Sequence, residues 1–454
     1  MKVRNVFGLM LSVVLLLLLA GSSLAREPQP AGPSEAVGVN ASPAASSPWF
    51  IITVDAYDVG QYTSVAIDPV NNTTYVSYYD EIYKNLRMAK YVGSGGNCGP
   101  NNDWSCETVD SGGDVGKYSS IAIKPDSGGI GIAYYDATNR KLKYAYSEIC
   151  PTCSWSIDTV DWPFGPIKRI GIDTSLKYNS NGKPYIAYYS ENWIGVDELK
   201  LARGGLAMGN CGSGSAGMWQ CDTIHTGEGV GQYASLALDG SDRPHIAYND
   251  GGNNALMYAK QYGGSWTIRE ILHANSGQYA SLYVDNGDIS HIAHYDSSNG
   301  KLGYAVWVGY GGDPNCGLNN VPKPEWRCDD IDSVGTSGHP KGVSLAVDAT
   351  GYPIIAYQKG GSLDVARPLD ALGLPGGSGN CGPEDPFSTW KCETIDPFGS
   401  LGPVSNGDFV SIDLNSSGLA TIAYYRETST KFYESLRVAY QQFQGFLPLV
   451  MKNQ

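Results

Sequence analysis

From residue 49 onward the chain is a succession of short runs in which apolar and polar residues alternate, the period-two signal of strands. No convincing amphipathic helix follows residue 25. One run, Trp49-Phe-Ile-Ile-Thr-Val-Asp55, sets the frame. A Trp followed five residues on by Val or Ile, usually then by Asp, returns at Trp104, Trp155, Trp219, Trp266, Trp326 and Trp390. Three further strand types recur with the same count. The first has the form Ser-Leu-Ala-Leu-Asp, at Ser64–Asp68, Ser120–Lys124, Arg169–Asp173, Ser235–Asp239, Ser281–Asp285, Ser344–Asp348 and Ser411–Asn415. The second has the form Ile-Ala-Tyr-Tyr, from Val76–Tyr79 to Ile422–Tyr425, and the third carries Leu-x-x-Ala, from Leu86 to Leu436.

Four strands in a period of roughly 45–65 residues predict an all-β fold, a seven-bladed β-propeller of four-stranded blades. The seventh unit, ending near Tyr440, has no Trp strand after it, and Trp49–Asp55 has no unit before it. Pairing the two closes the ring and removes an open sheet edge. An open solenoid leaves the first strand unpaired and normally needs caps. The seven Trp are expected to pack between adjacent blades, and the paired Tyr of the second strand are expected mostly to pack as well.

The remaining segments divide the chain further. Residues 1–25 read as a secretory signal: Lys2 and Arg4, an apolar stretch from Val6 to Ala20, and the small-residue site Ser23-Leu24-Ala25. Residues 26–46 are rich in Pro, Ala, Ser and Gly and read as a flexible linker. The propeller spans 47–443, and 444–454 is an apolar C-terminal tail. The expected location is secreted or cell surface, with no transmembrane span in the mature chain. Ten cysteines suit that compartment. Asn-Cys-Gly precedes four Trp strands, and each of those strands has a Cys two residues after its Trp. The expected pairs are Cys98–Cys106, Cys211–Cys221, Cys316–Cys328 and Cys381–Cys392, with Cys150–Cys153 as a fifth. The first four would each staple a long loop between the third and fourth strands, contributing about 2–3 kcal/mol in the chain-entropy model.

Charge narrows the function classes. Acidic residues outnumber basic ones 45 to 31, for a net charge of -14. That sign disfavours nucleic acid and anionic lipid. Residues 47–443 resemble secreted bacterial seven-bladed β-propellers in the sialidase-like and lectin-like neighbourhood. The sialidase signatures are missing: there is no Ser-x-Asp-x-Gly-x-x-Trp box, no early Arg-Ile-Pro and no set of three arginines on inner strands. WD and kelch signatures are absent too. The ending Gly445-Phe-Leu-Pro-Leu-Val-Met-Lys452 is similar to a short apolar tail on exported proteins of some filamentous bacteria, either a sorting tag or a packed tail.

The resemblance implies a ligand site at one mouth of the central channel. The loops leading into the first strands carry Gly-x-Tyr at Tyr62, Tyr118, Tyr233 and Tyr279, with Phe409 in the seventh repeat. These rings line the mouth or pack against neighbouring blades. Asp80, Asp136, Asp250 and Asp296 follow the second strands, as ligand carboxylates or as turn formers. The third repeat departs from the pattern. Its lead-in reads Asp161-Trp-Pro-Phe-Gly-Pro-Ile-Lys-Arg169, with Ile167 in the Tyr place and Arg169 in the Ser place. Trp162 and Trp193 lie outside the sevenfold Trp pattern. The expected site is therefore Trp162, Lys168, Arg169 and Trp193, walled by Tyr118 and Tyr233, taking a carboxylated glycan through the Arg169 guanidinium. The competing account pairs Arg169 with an inner-strand acid such as Asp173. No metal site, cofactor, nucleophile motif or convincing acid/base pair is legible. The leading reading is an exported, non-catalytic binder of a glycan or other cell-surface ligand. The alternatives are a glycoside hydrolase or lyase of the sialidase-like propeller type and a structural surface protein with no small ligand.

Overall fold

The computed structural model describes residues 49–442 apart from 149–153, 213–217, 274–275, 310, 313–315, 317–324, 337–341, 374–377, 384–388, 398–404 and 429–433. The expected signal, linker, tail and Cys150–Cys153 pair lie outside the described residues. The first strand, β1 (Trp49–Ala56), stands apart from the blade that follows it. Blade 1 is β2 (Val59–Ile67), β3 (Thr74–Asp80), β4 (Asn85–Tyr91) and β5 (Trp104–Asp110). Blade 2 is β6 (Val115–Ile123), β7 (Ile130–Asp136), β8 (Lys141–Ser147) and β9 (Ser156–Asp161). Blade 3 is β10 (Lys168–Tyr178), β11 (Pro184–Asn192), β12 (Asp197–Leu206) and β13 (Met218–Gly227). Blade 4 is β14 (Val230–Leu238), β15 (Pro244–Asp250), β16 (Ala255–Tyr262) and β17 (Ser265–Leu272). Blade 5 is β18 (Ser276–Val284), β19 (Ser290–Asp296), β20 (Lys301–Trp307) and β21 (Trp326–Ser333). Blade 6 is β22 (Val343–Val347), β23 (Pro353–Lys359), β24 (Ser362–Pro368) and β25 (Trp390–Asp396). Blade 7 is β26 (Ser405–Leu414), β27 (Ala420–Glu427) and β28 (Ser435–Gln441), completed by β1. Each sheet is antiparallel; six run in chain order from the channel outward and blade 7 ends on β1, so the fold is a seven-bladed β-propeller.

The closure follows the expected register. Trp49 lies opposite Gln441, Ile52 opposite Val438 and Asp55 opposite Leu436. Ile52 and Val54 are buried against Val438 and against Trp104 of blade 1, so this strand belongs to the core at the seam.

Adjacent blades meet through three repeated devices. The inner strand of a blade has no sheet partner on its channel side, which leaves backbone N–H groups to be satisfied. One serine per blade meets that need. Ser64 Oγ accepts from Ile121 N–H at 3.1 Å, Ser120 from Leu176 at 3.0 Å and Ser175 from Leu236 at 2.9 Å. Ser235 accepts from Leu282 at 2.9 Å, Ser281 from Leu345 at 2.9 Å, Ser344 from Ile412 at 3.1 Å and Ser411 from Val65 at 3.0 Å. The last of these bonds returns to blade 1 and closes the circle.

The second device explains the Asp that ends the Trp strand. Its carboxylate accepts from a buried Tyr on the second strand of the next blade. Tyr78 donates to Asp55 at 2.6 Å, Tyr134 to Asp110 at 2.6 Å, Tyr188 to Asp161 at 2.7 Å, Tyr357 to Asp332 at 2.7 Å and Tyr424 to Asp396 at 2.6 Å. A cation joins each pair: Arg87, Lys143, Lys200, Lys359 and Arg437. The Tyr of the second strand therefore packs and also bonds. At the next interface His225 replaces the Asp and still meets Tyr248 at 2.9 Å. Where Leu272 replaces it, the Tyr becomes His294, which is buried.

The third device is steric. Gly60, Gly116, Gly171, Gly231 and Gly277 each lie flat on a Leu backbone of the preceding blade, with φ between 94° and 109°. A methyl group there would come within 2.7–2.8 Å of the Leu Cα. The outer-strand indoles fill the remaining gap. Trp219 packs edge-on to Tyr144, Trp326 to Tyr258 and Trp390 to Tyr304, each from the preceding blade.

Four expected disulfides form: Cys98–Cys106, Cys211–Cys221, Cys316–Cys328 and Cys381–Cys392. Each lies within one blade. The Asn before the first Cys has its own task. The Asn97, Asn210 and Asn380 amides each bond both backbone groups of the second Cys, at 2.7–2.9 Å.

The third repeat corrects one assignment. Its copy of the first-strand motif is Ser175-Leu-Lys-Tyr-Asn179 and not Arg169–Asp173, because Ser175 and Leu176 make the blade-to-blade bonds. Lys177 and Tyr178 disguise this copy, whereas Arg-Ile-Gly-Ile-Asp imitates it.

Removing residues 26–56 strips β1 from blade 7 and exposes the core around Val438. Burying Ile52 and Val54 alone is worth about 1.5–3 kcal/mol each. Calorimetry should show a melting temperature lower by at least about 5 °C. A truncated chain melting with the parent would rule out this seam.

Candidate functional site

A cavity of about 510 Å³ opens on the ring axis. Its wall is a ring of one residue per blade, two positions before the serine that bridges to the next blade: Tyr62, Tyr118, Asp173, Tyr233, Tyr279, Gly342 and Phe409. The backbone aims them. Six of the seven have left-handed φ values of 50–55°, and the ladder slips just there, between Gln61 and Ser64 in blade 1 for example. An extra residue in one strand turns a side chain out of the alternation, here into the channel. Left-handed backbone at Tyr or Phe carries a cost of about 1–3 kcal/mol per residue. The neighbouring structure sustains it at six blades.

Adjacent rings lean together. The Tyr62 ring lies 4.7 Å from Tyr118 and 4.6 Å from Phe409, and Tyr233 lies 4.6 Å from Tyr279. Burial pushes the Tyr62 hydroxyl up to about 12, and it raises Tyr118 and Tyr233 further. The aromatics expected at the mouth therefore line it and also touch one another.

Asp173 takes the third place in the ring, a residue that the shifted reading of this repeat had assigned to a strand end. The Gly171-Ile-Asp173 spacing, matched against Gly-x-Tyr, was the available signal. Its Oδ2 accepts the Tyr233 N–H at 2.7 Å. Among the described residues no Lys or Arg forms an ion pair with it. Burial raises its carboxyl to about 6 against the Tyr233 hydrogen bond.

Three of the six expected site residues line the cavity: Tyr118, Arg169 and Tyr233. Arg169 stands at the rim, hydrogen-bonded through Nε to Glu191, which also lines the cavity. The indole of Trp193 donates to the same Glu191 oxygen at 2.9 Å, and the guanidinium lies 5.9 Å from that ring. Trp193 is 58% exposed. The hydrogen bond that Arg169 donates to Glu191 raises the Arg169 pKa further. Burial pushes the Glu191 carboxyl up, but Arg169 and Trp193 outweigh it and hold it below the usual range. The ion pair that competed with a free guanidinium is present, with Glu191 as partner in place of Asp173. Glu191 engages Arg169 through Nε, so an anionic ligand would meet a guanidinium whose charge is already partnered. Lys168 is held by Glu198 at 3.1 Å, and neither Lys168 nor the 39%-exposed Trp162 lines the cavity.

Other candidates resolve into scaffold. Asp136, Asp250 and Asp296 accept from Asn139, Asn253 and Asn299, and Asp80 accepts from the backbone of Ile82 and Tyr83, so all four build turns. Among the described residues no group of three His, Cys, Asp or Glu is placed to hold a metal ion. Asp239, His245 and Ser290 form a hydrogen-bonded chain that invites comparison with a nucleophile triad. It is fully buried, and Tyr258 takes the same His245 Nδ1 at 2.6 Å. Blade 5 repeats it as Asp285–His291–Tyr304, which marks a blade-packing motif.

No family model matches the chain, and no curated protein matches it. Among solved structures it is similar to the polysaccharide lyase Uly1, at 10% identity over 84% of this chain and 89% of that one, with a TM-score of 0.43. It is similar to the six-bladed fucose-recognising lectin of the fungus Aleuria aurantia, at 12% identity over 77% and 100%, TM-score 0.43. It is also similar to an oligogalacturonate lyase in complex with manganese, at 9% over 88% and 98%, TM-score 0.43. No statement about ligands rests on likeness at this level.

The raised Asp173 carboxyl ties stability to pH. A folded pKa near 6 exceeds the unfolded value near 3.9, so this group's contribution is fully present below about pH 4 and is lost as pH rises through about 6. Asp173→Asn keeps an acceptor for the Tyr233 N–H and removes the buried charge. The variant should be more stable than wild type at neutral pH by about 1–3 kcal/mol, with the gap closing below about pH 4. Denaturant titrations across that range check it, and a constant difference at all pH values would refute the assignment.

Proposed function

We propose that the chain is an exported, non-catalytic binding protein whose propeller mouth holds a hydroxyl-rich glycan. One observation carries this reading: the Arg169–Glu191 pair and the exposed Trp193 stand together at the rim of an aromatic-lined cavity. A sugar ring lays its C–H face on an indole, and its hydroxyls both donate and accept. The Arg169–Glu191 fork supplies donors and an acceptor side by side. Export is supported by the signal-like residues 1–25 and by the four disulfides, which persist in oxidising compartments. The division into signal, linker 26–46, propeller 47–443 and tail 444–454 belongs to the same proposal. Among the described residues no helix is long and apolar enough to cross a membrane.

A second reading has its own observation. Asp173 and Glu191 line one cavity, and their surroundings move their carboxyl pKa values in opposite directions. Such a split is the pattern of an acid and a carboxylate partner in glycoside hydrolysis. Glu191 is already engaged by Arg169 and Trp193, so the binding reading leads. A reducing-sugar assay over a panel of polysaccharides decides between them. Turnover that disappears in both Asp173→Asn and Glu191→Gln would replace the binding reading with this one.

Glycan arrays followed by calorimetry test the main proposal. Trp193→Ala should weaken binding by about 1–3 kcal/mol, and Arg169→Ala by a similar amount because it also releases Glu191. If both variants fold and bind like wild type, the ligand site lies elsewhere.

A further inference from the structure

Asp173 breaks a ring that is otherwise aromatic or empty. Four tyrosines and a phenylalanine occupy five of its seven places, and Gly342, with no side chain, takes the sixth blade's place. One carboxylate oxygen is engaged by the Tyr233 N–H. The nearby cation at the rim, Arg169, is engaged by Glu191. Among the described residues Asp173 therefore has no ion pair, although it is withdrawn from bulk water among aromatic side chains. A carboxylate in such a place is stabilised by a cation that supplies the missing charge, and aromatic rings attract the same cation through their quadrupoles.

We infer that the channel ring around Asp173 is a subsite for a protonated primary amine carried on a sugar ring, an unacetylated amino sugar. The inference rests on the reading of the mouth as a glycan site and adds its ligand class. An ammonium group has three N–H donors, which Asp173 and the tyrosine hydroxyl oxygens can accept. A quaternary ammonium has no donor and leaves the carboxylate unbonded. A bare lysine side chain meets the ring but makes no use of Trp193 or the Arg169–Glu191 fork at the rim. An amino sugar uses both levels of the site. Its ring and hydroxyls lie at the rim, and the nitrogen reaches down to Asp173. Burial holds the empty carboxyl near 6. A bound ammonium favours the ionised form, so binding weakens when acid protonates Asp173.

Titration calorimetry with a glucosamine oligosaccharide, its N-acetylated counterpart, a lysine-bearing peptide and butylammonium tests this at about pH 7 and pH 5. Wild type should bind the free amine at least about tenfold more tightly than the acetylated sugar at pH 7, as expected of a charge-assisted bond. The preference should shrink at pH 5. Asp173→Asn should bring the amine down to the level of the acetylated sugar. Equal affinity for the two sugars, or a preference unchanged in Asp173→Asn, overturns the inference and leaves the glycan reading standing. A peptide that binds more tightly than the amino sugar overturns the sugar as the amine's carrier. If no sugar binds, the glycan reading fails and butylammonium decides on the ring alone. Asp173-dependent binding of that ion retains the amine site without its sugar, and its absence removes the amine site as well.

Discussion

Seven inner strands stand around an axis with no hydrogen-bonding partner on their channel side, and the molecule depends on how their backbone groups are satisfied. A serine from the preceding blade answers each one. Each bond is modest alone, about 0.5–1.5 kcal/mol net. Leaving a buried N–H unsatisfied costs more than the bond contributes, so the ring holds every blade to one angle and height. The glycine contact and the Asp–Tyr–cation cluster act on the same interface from further out. With the blades held in this way, the channel residues that follow each glycine come to one level.

Much of this was legible in the sequence because the repeat is a physical unit. Tryptophan, Leu-x-x-Ala and Ile-Ala-Tyr-Tyr mark positions that every blade packs, and seven Trp strands of which only six follow a unit force the seam between Trp49–Asp55 and β28. The cysteine pairs followed from Asn-Cys-Gly, although the work of that Asn became visible only when its amide met the backbone of the second cysteine. What stayed hidden were contacts between repeats. The Asp that ends the Trp strand had no assigned role, yet its partner is a tyrosine one blade away. Leu272 and His294 look like independent drift, yet they hold the two places of one such pair.

The third repeat shows how chemistry can hide in a register. Arg-Ile-Gly-Ile-Asp matches the inner-strand motif better than Ser-Leu-Lys-Tyr-Asn does, so alignment by composition places Arg169 on the channel wall and Asp173 at a strand end. The serine bonds reverse that order. Arg169 moves to the rim, where Glu191 takes its charge, and Asp173 becomes the ring member. Trp193 was found from its isolation among tryptophans, and it does stand beside Arg169. Trp162 and Lys168 share the segment but not the cavity. Departure from the repeat singled out blade 3, and the side-chain partners sorted its residues.

The glycine and serine devices make the blades nearly equivalent, and equivalence has a consequence for anything that enters the channel. A ring of seven like side chains would offer seven rotated poses of equal energy, and an occupant would have no defined orientation. Asp173 and Gly342 abolish that degeneracy. One marks an angular origin by charge, the other by the lack of a side chain, and together they give a rotationally repetitive scaffold a fixed bearing.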